Sequence, residues 1–94
     1  MSADLKRVVE TYQFLLLVED AVRIFIRDAP VRRNDTREQA LTKLSIQDGF
    51  DRARRKFSTY RWSVSPWTDA TVDELFSELT TVFRAITMYQ YSIR

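Results

Sequence analysis

The chain has almost no glycine or proline: its 94 residues include one glycine and two prolines. Sandwiches, barrels and phosphate-binding loops need many such residues at their turns, so the composition argues against all three. Apolar residues make up 45% of the chain. That is enough for a core, although a chain of this length buries only about 60 to 65% of its unfolded surface. We therefore expect an all-α protein with a single helical domain spanning residues 1–94.

Hydrophobic periodicity predicts a three-helix chain, with two long helices at about residues 3–28 and 36–60 and an amphipathic C-terminal helix at about residues 71–91. Pro30 ends the first helix because it disfavours helical geometry at the preceding residue and has no N–H to donate.

Two short stretches have the spacing of a capping box, in which the first and fourth residues close the start of a helix. Asp35 to Glu38 would open the second helix, and Thr71 to Glu74 would open the third. Gly49 costs about 1 kcal/mol inside a helix, which leaves open a break near Ser45. We favour one continuous second helix.

The first helix is apolar on two sides. Leu5, Tyr12 and Leu16 fall on one side, while Phe14 and Phe25 fall on nearly the opposite one. A bundle helix needs one buried stripe, so the second side requires a cover. We expect an antiparallel homodimeric helical bundle; the alternative is that the third helix covers this side within one chain. The expected dimer or core positions are Phe14, Val18, Phe25, Ile46, Phe50 and Phe57.

The chain contains neither cysteine nor histidine. Disulfides, thiolate nucleophiles, imidazole bases and the usual zinc ligands are therefore excluded together. We expect no enzymatic activity, no cofactor and no bound metal. The longest apolar run, Phe14 to Val18, is too short to span a membrane, and Met1 to Asp4 lacks the pattern of a secretory signal. We expect a cytoplasmic protein without a membrane partner.

Positive charge is concentrated in the middle third of the chain. Residues 32–61 contain nine basic and four acidic residues, whereas the formal net charge of the whole chain is only +2. Such an asymmetry favours a polyanionic partner, although a charged stretch can also be no more than a solvated surface. The candidate nucleic-acid-binding residues are Lys43, Gln47, Arg52, Arg54, Arg55, Lys56 and Arg61.

Four of these residues, Lys43, Gln47, Arg54 and Arg61, are spaced to line up along one side of the second helix. The stripe would be about 27 Å long, enough to follow several phosphates. A helical surface with long cations suits the backbone and grooves of a duplex. The pattern predicts sequence-independent binding of double-stranded RNA, and leaves open DNA or a single strand. The alternative function is a helical adaptor or inhibitor that docks onto another protein.

Three sequence features also carry a resemblance to a known family. They are the tripeptide Asp28-Ala29-Pro30, the basic run from Asp51 to Ser58, and Pro66 ahead of a third helix. In this order they resemble the small RNA-silencing suppressors of insect nodaviruses. The resemblance covers about residues 1–66. It departs in the long apolar third helix and in the use of arginine where the family has lysine.

This resemblance implies an all-helical antiparallel dimer that binds double-stranded RNA along one face and shields it from the host silencing machinery. It places the phosphate-binding cations in the cluster Arg52, Arg54 and Arg55.

Overall fold

The chain folds into three helices that pack against one another, which confirms the all-α prediction. The computed structural model describes residues 4–28, 36–61 and 67–92, and side chains at 4–28, 40–60 and 67–89. The helices are α1 (Leu5–Asp28), α2 (Thr36–Arg61) and α3 (Asp69–Ser92). They correspond to the predicted helices at 3–28, 36–60 and 71–91.

The first and third helices run in the same direction, and the second runs against them. Arg7 Nη1 donates to Asp69 Oδ1 at 2.8 Å near the start of α1 and α3. Towards their ends, the rings of Phe25 and Tyr89 meet edge to face with centroids 5.0 Å apart. Tyr12 lies early in α1 and Phe57 late in α2, and the centroids of their rings are 5.2 Å apart. The result is an elongated up-down-up bundle of 50 × 19 × 18 Å.

The buried stripe of α1 follows a heptad-like spacing, and it runs between the two apolar sides predicted from the sequence. Its members are Thr11, Leu15, Val18, Val22 and Phe25. Thr11 is tolerated there because its hydroxyl donates to the carbonyl of Arg7 at 2.8 Å. The helices α2 and α3 thus contact α1 along one central stripe, and apolar residues on both predicted sides of α1 are left exposed at its edges.

Most of the predicted dimer or core positions lie in the core of a single chain. The five buried ones are Val18, Phe25, Ile46, Phe50 and Phe57. The sixth, Phe14, is half-buried and contacts the ring of Phe76 on α3, with centroids 5.0 Å apart. The third helix thus covers much of the second apolar side of α1, as the single-chain alternative proposed.

The second helix is continuous through Gly49. A Cβ at this position would lie 3.4 Å from Cγ2 of Val82, so α3 leaves room for a methyl group here at van der Waals distance. Leu41 and Leu44, which do not belong to the buried stripe of α2, are exposed. The break considered near Ser45 is not present.

The third helix begins two residues before the predicted start, with a different cap. Thr68 Oγ1 accepts the N–H of Thr71 at 3.2 Å, and Thr71 Oγ1 accepts the N–H of Thr68 at 3.1 Å. The capping box predicted from Thr71 to Glu74 is therefore wrong, because Thr71 is already in the first turn as the reciprocal partner of Thr68. The capping box proposed from Asp35 to Glu38 lies outside the described side chains.

Candidate nucleic-acid interface

Three arginines of the predicted cluster are exposed on α2. Arg52 forms an ion pair with Asp48 at 3.4 Å, and Arg54 forms one with Asp51 at 3.6 Å. Both pairs join residues on the same helix, and both arginine side chains are more than half exposed. Solvated pairs of this kind contribute about 0 to 1 kcal/mol. A phosphate can therefore displace these carboxylates at little cost.

The third arginine of the cluster, Arg55, points away from the bundle. At 100° per residue it lies nearly opposite the buried stripe of Ile46, Phe50, Ala53 and Phe57. Its side chain forms no ion pair with any residue that the structure describes. Arg52 and Arg54 lie on either side of it around the helix. The outer surface of α2 thus presents guanidinium groups over a wide arc.

The predicted stripe on α2 faces a groove between α1 and α2. Gln47 and Arg54 line this open groove, which has a volume of about 330 Å³, together with Arg23 and Arg27 of α1. Lys43 lies on the same side of α2, is half-buried and makes an interaction of its own. Arg61 is the last residue of α2, and its side chain is not among those described.

The two α1 arginines were missed by the sequence analysis. Their spacing of four residues puts them on one side of α1, a signal that could have been read beside the basic run of α2. Arg23 pairs with Glu19 at 3.6 Å. Arg27 donates through two nitrogens to both carboxylate oxygens of Asp28 at 2.9 Å, and this bond holds the pKa of Asp28 below its ordinary value.

Lys56 belongs to a different side of α2. Its ammonium group donates to Glu74 Oε1 at 2.8 Å and also to Glu78 Oε1, both on α3. The Tyr60 hydroxyl is 3.4 Å from the other oxygen of Glu74. The hydrogen bonds to the two carboxylates raise the pKa of Lys56. The structure places this cation against α3, where these bonds join the two helices, and it also lines an open pocket of about 360 Å³ with Arg52 and Arg55.

An apolar pocket lies at the other end of the α1–α2 side. It has a volume of about 320 Å³ and is lined by Val8, Val9, Tyr12, Phe57 and Trp67. The ring of Trp67 contacts Phe57 at 5.1 Å. These aromatic rings serve mainly to close the end of the core.

Two further features bear on the site. No helix among the described residues is long and apolar enough to pass through a bilayer. Within residues 4–28, 36–61 and 67–92, no three acidic side chains come together as a metal site would require.

No family model matches the chain, and no curated protein or solved structure matches it. Any assignment of function therefore depends on the chemistry of the surface and on the short motifs that resemble the nodavirus suppressors.

Proposed function

We propose that the chain binds double-stranded RNA, irrespective of sequence, through the exposed guanidinium groups of α2. The observation that carries this proposal is the outward arc of Arg52, Arg54 and Arg55, in which Arg55 has no carboxylate partner among the described residues. Guanidinium groups bind phosphate oxygens in a bidentate manner and are weakly hydrated, so they suit a phosphate backbone.

The shape of this surface favours a duplex over a single strand. The 26 residues of α2 extend over about 39 Å, long enough to cross successive grooves. Ser58 and Thr59 are exposed near Arg55. The Thr59 hydroxyl donates to the carbonyl of Arg55 at 2.9 Å and keeps lone pairs that can accept from a 2′-hydroxyl group. The large aromatic rings near this end, Phe57 and Trp67, pack against each other and are not displayed as a stacking platform.

The biological role follows from the resemblance to the nodavirus suppressors. Bound along a duplex, the protein would shield RNA from the silencing machinery of a host cell, in the cytoplasm. Consistent with that family, we also place homodimerisation within the proposal. Several large apolar side chains that the three helices leave exposed support it.

The test is a salt titration of binding to a random-sequence RNA duplex. The logarithm of affinity should fall linearly with the logarithm of salt concentration, and Arg54→Ala should reduce the slope by about one. Lys56→Ala is the matched control, because this cation is already engaged by Glu74 and Glu78 and should leave the slope unchanged. Absence of binding at about 50 mM salt would remove the proposal.

The second candidate function is a helical adaptor or inhibitor that docks onto another protein. The observation that favours it is a strip of exposed apolar residues on α1, formed by Leu5, Val9, Tyr12 and Leu16. In a cell-based silencing reporter, the RNA-binding function predicts that Arg54→Ala impairs suppression. The adaptor predicts instead that Val9→Gln with Leu16→Gln impairs it while Arg54→Ala does not.

A further inference from the structure

One side of the bundle, between α1 and α3, carries a broad apolar surface. Leu17 is 58% and Ile24 44% exposed on α1, and Phe76 is 52% and Phe83 40% exposed on α3. Phe14 joins the two helices within this surface through its contact with Phe76. We call these five residues the α1–α3 face.

The polar residues within this surface do not make it hydrophilic. Thr80 and Thr87 lie on the same side of α3 as Phe76 and Phe83. Each threonine donates its hydroxyl to the helix backbone, to the carbonyl of Phe76 at 2.8 Å and to that of Phe83 at 3.1 Å. Their hydroxyl hydrogens are therefore already donated within the helix. No charged side chain interrupts the surface between Phe14 and Ile24 on this side of α1.

The exposed area fits the needs of a second copy. At roughly 200 Å² for a full large side chain, the four exposed fractions correspond to on the order of 400 Å² of apolar surface per chain. A stable interface buries about 800 Å² on each partner, about 65% of it apolar in a homodimer. The exposed apolar area of the α1–α3 face is therefore most of the apolar area that a homodimer interface needs, even without the residues at the edges of the face.

The charges at the rims select one arrangement of two copies. Asp20 lies on the outer edge of α1 and Arg84 on the outer edge of α3, and neither forms a salt bridge among the described residues. Asp20 acts on Arg27 only as a nearby charge. Arg7 of α1 contacts Asp69 of α3, which lies 62 positions further along the chain. Asp20 and Arg84 are 64 positions apart on the same two parallel helices, so they lie at nearly the same height along the bundle.

A two-fold axis parallel to the helices would set α1 of each copy against α3 of the other. Asp20 would then face Arg84 of the partner subunit on both rims. An axis perpendicular to the helices would instead set α1 against α1 and α3 against α3, which gathers the two aspartates on one rim and the two arginines on the other. Opposed like charges cost free energy, so the parallel arrangement is the favoured one.

We propose that two copies of this chain pair through the α1–α3 face in parallel, with α1 of each copy against α3 of the other. The outer surface of α2 lies on the far side of the bundle from this face. The two arginine surfaces of the dimer therefore point in opposite directions, and one duplex cannot touch both. This differs from the single basic face that the nodavirus resemblance implies.

A functional consequence, which rests on the proposed RNA binding, is that one dimer holds two duplexes. A protein of this kind would bridge RNA molecules as well as cover them. The pairing itself does not depend on RNA, so the two parts are tested separately.

The first experiment measures the mass of the full chain in solution by light scattering, at about 100 µM chain. Wild type should show twice the 11.2 kDa of one chain, and Leu17→Gln with Phe83→Gln should show 11.2 kDa. The control, Leu41→Gln with Leu44→Gln, changes two leucines of similar exposure on α2 and should remain dimeric. Circular dichroism verifies that each variant is folded. A monomeric wild type, or a dimeric face variant, would overturn the proposal.

A charge exchange tests the arrangement of the copies. Asp20→Arg alone and Arg84→Asp alone should each weaken the dimer several-fold, because each places like charges on both rims. The two changes together should restore it. If the double variant is no tighter than either single one, the parallel arrangement is wrong.

Energy transfer between two RNA duplexes, one carrying a donor dye and one an acceptor, tests bridging. Wild type should produce transfer, and the monomeric face variant should bind RNA without transfer. Binding of RNA by the wild-type dimer without transfer would refute the two-duplex arrangement. If the wild-type protein binds no RNA at all, the proposed function and the bridging are both refuted. The pairing of two copies is then still decided by the mass measurement.

Discussion

The Nζ atom of Lys56 lies 2.8 Å from Oε1 of Glu74, across the boundary between α2 and α3. This contact engages a cation in the middle of the basic run with a carboxylate of α3, at the edge of the outer surface of α2. It also ties the packing of the two helices to the ionisation of a carboxylate. Lys56 therefore has a structural role in the packing of α2 against α3, and its place among the candidate nucleic-acid-binding residues stays a prediction.

Lys56→Gln should lower stability in a pH-dependent way. The hydrogen bond from Lys56 holds the pKa of Glu74 below its ordinary 4.5. A carboxylate with a lowered folded-state pKa stabilises the fold above 4.5, and this contribution is lost as the pH falls through the folded-state value. Urea denaturation should show the wild type more stable than the variant at pH 7, with the difference shrinking towards about pH 3. A difference independent of pH would contradict this account.

Thr68→Ala should destabilise the protein by about 1 kcal/mol, since it removes the acceptor for the N–H of Thr71 at the start of α3. Thr68→Ser keeps that hydroxyl and should retain most of the stability. Thermal denaturation followed by circular dichroism measures both. Equal losses in the two variants would show that the Thr68 methyl group, and not its oxygen, is what matters.

Gly49→Ala should raise the free energy of unfolding by about 0.5 to 1 kcal/mol. The substitution removes the conformational cost of a glycine inside a helix, and the new methyl group meets Val82 at an ordinary contact distance of 3.4 Å. Gly49→Leu should do the opposite, because the larger side chain would push α2 away from α3. Urea unfolding of both variants decides the sign, and a destabilised alanine variant would mean that Val82 cannot adjust.

Leu79→Ala should cost about 2 to 5 kcal/mol, because Leu79 is fully buried between the helices and its removal leaves a cavity. Leu41→Ala makes the same chemical change at an exposed position of α2 and should stay within about 0.5 kcal/mol of wild type. Comparing the two unfolding curves checks the bundle core directly. Similar losses at both sites would place Leu41 in an interface.

The double variant Arg23→Ala with Arg27→Ala should weaken RNA binding and reduce the salt slope by about two, if the interface extends across the α1–α2 groove. Lys6→Ala, an exposed cation on another side of α1, is the control and should leave the slope unchanged. The measurement is the same titration with a random-sequence duplex. An unchanged slope in the double variant would confine the interface to α2.

Helix positions could be predicted from the sequence because periodicity and a terminating Pro30 are local signals. The buried stripe of α2, including Ile46, Phe50 and Phe57, was also readable from its spacing. The buried residues of α1 could not be predicted in the same way. The apolar residues of α1 spread around most of the helix, so only the positions of α2 and α3 decide that Val18 is buried while Leu17 is exposed.

The candidate site was predictable only in part, for a similar reason. The basic run shows that α2 is cationic, but a helical-wheel projection does not show which residue of another helix each cation contacts. Lys56 faces two carboxylates of α3 that lie 18 and 22 residues further along the chain. Arg23 and Arg27 line the groove from α1, a helix whose basic residues do not outnumber its acidic ones. A count of charges along the sequence therefore does not single them out.

The parallel course of α1 and α3 places the amino-terminal ends of two helix macrodipoles side by side, where like partial charges repel. Asp4 accepts the N–H of Lys6 at 3.2 Å at that end of α1, while Asp69 and Asp73 occupy the first turns of α3. Arg7 lies between the helices and bonds both α3 aspartates. The three carboxylates thereby offset the positive partial charges at this end of the bundle, so that an anion would gain little by approaching it.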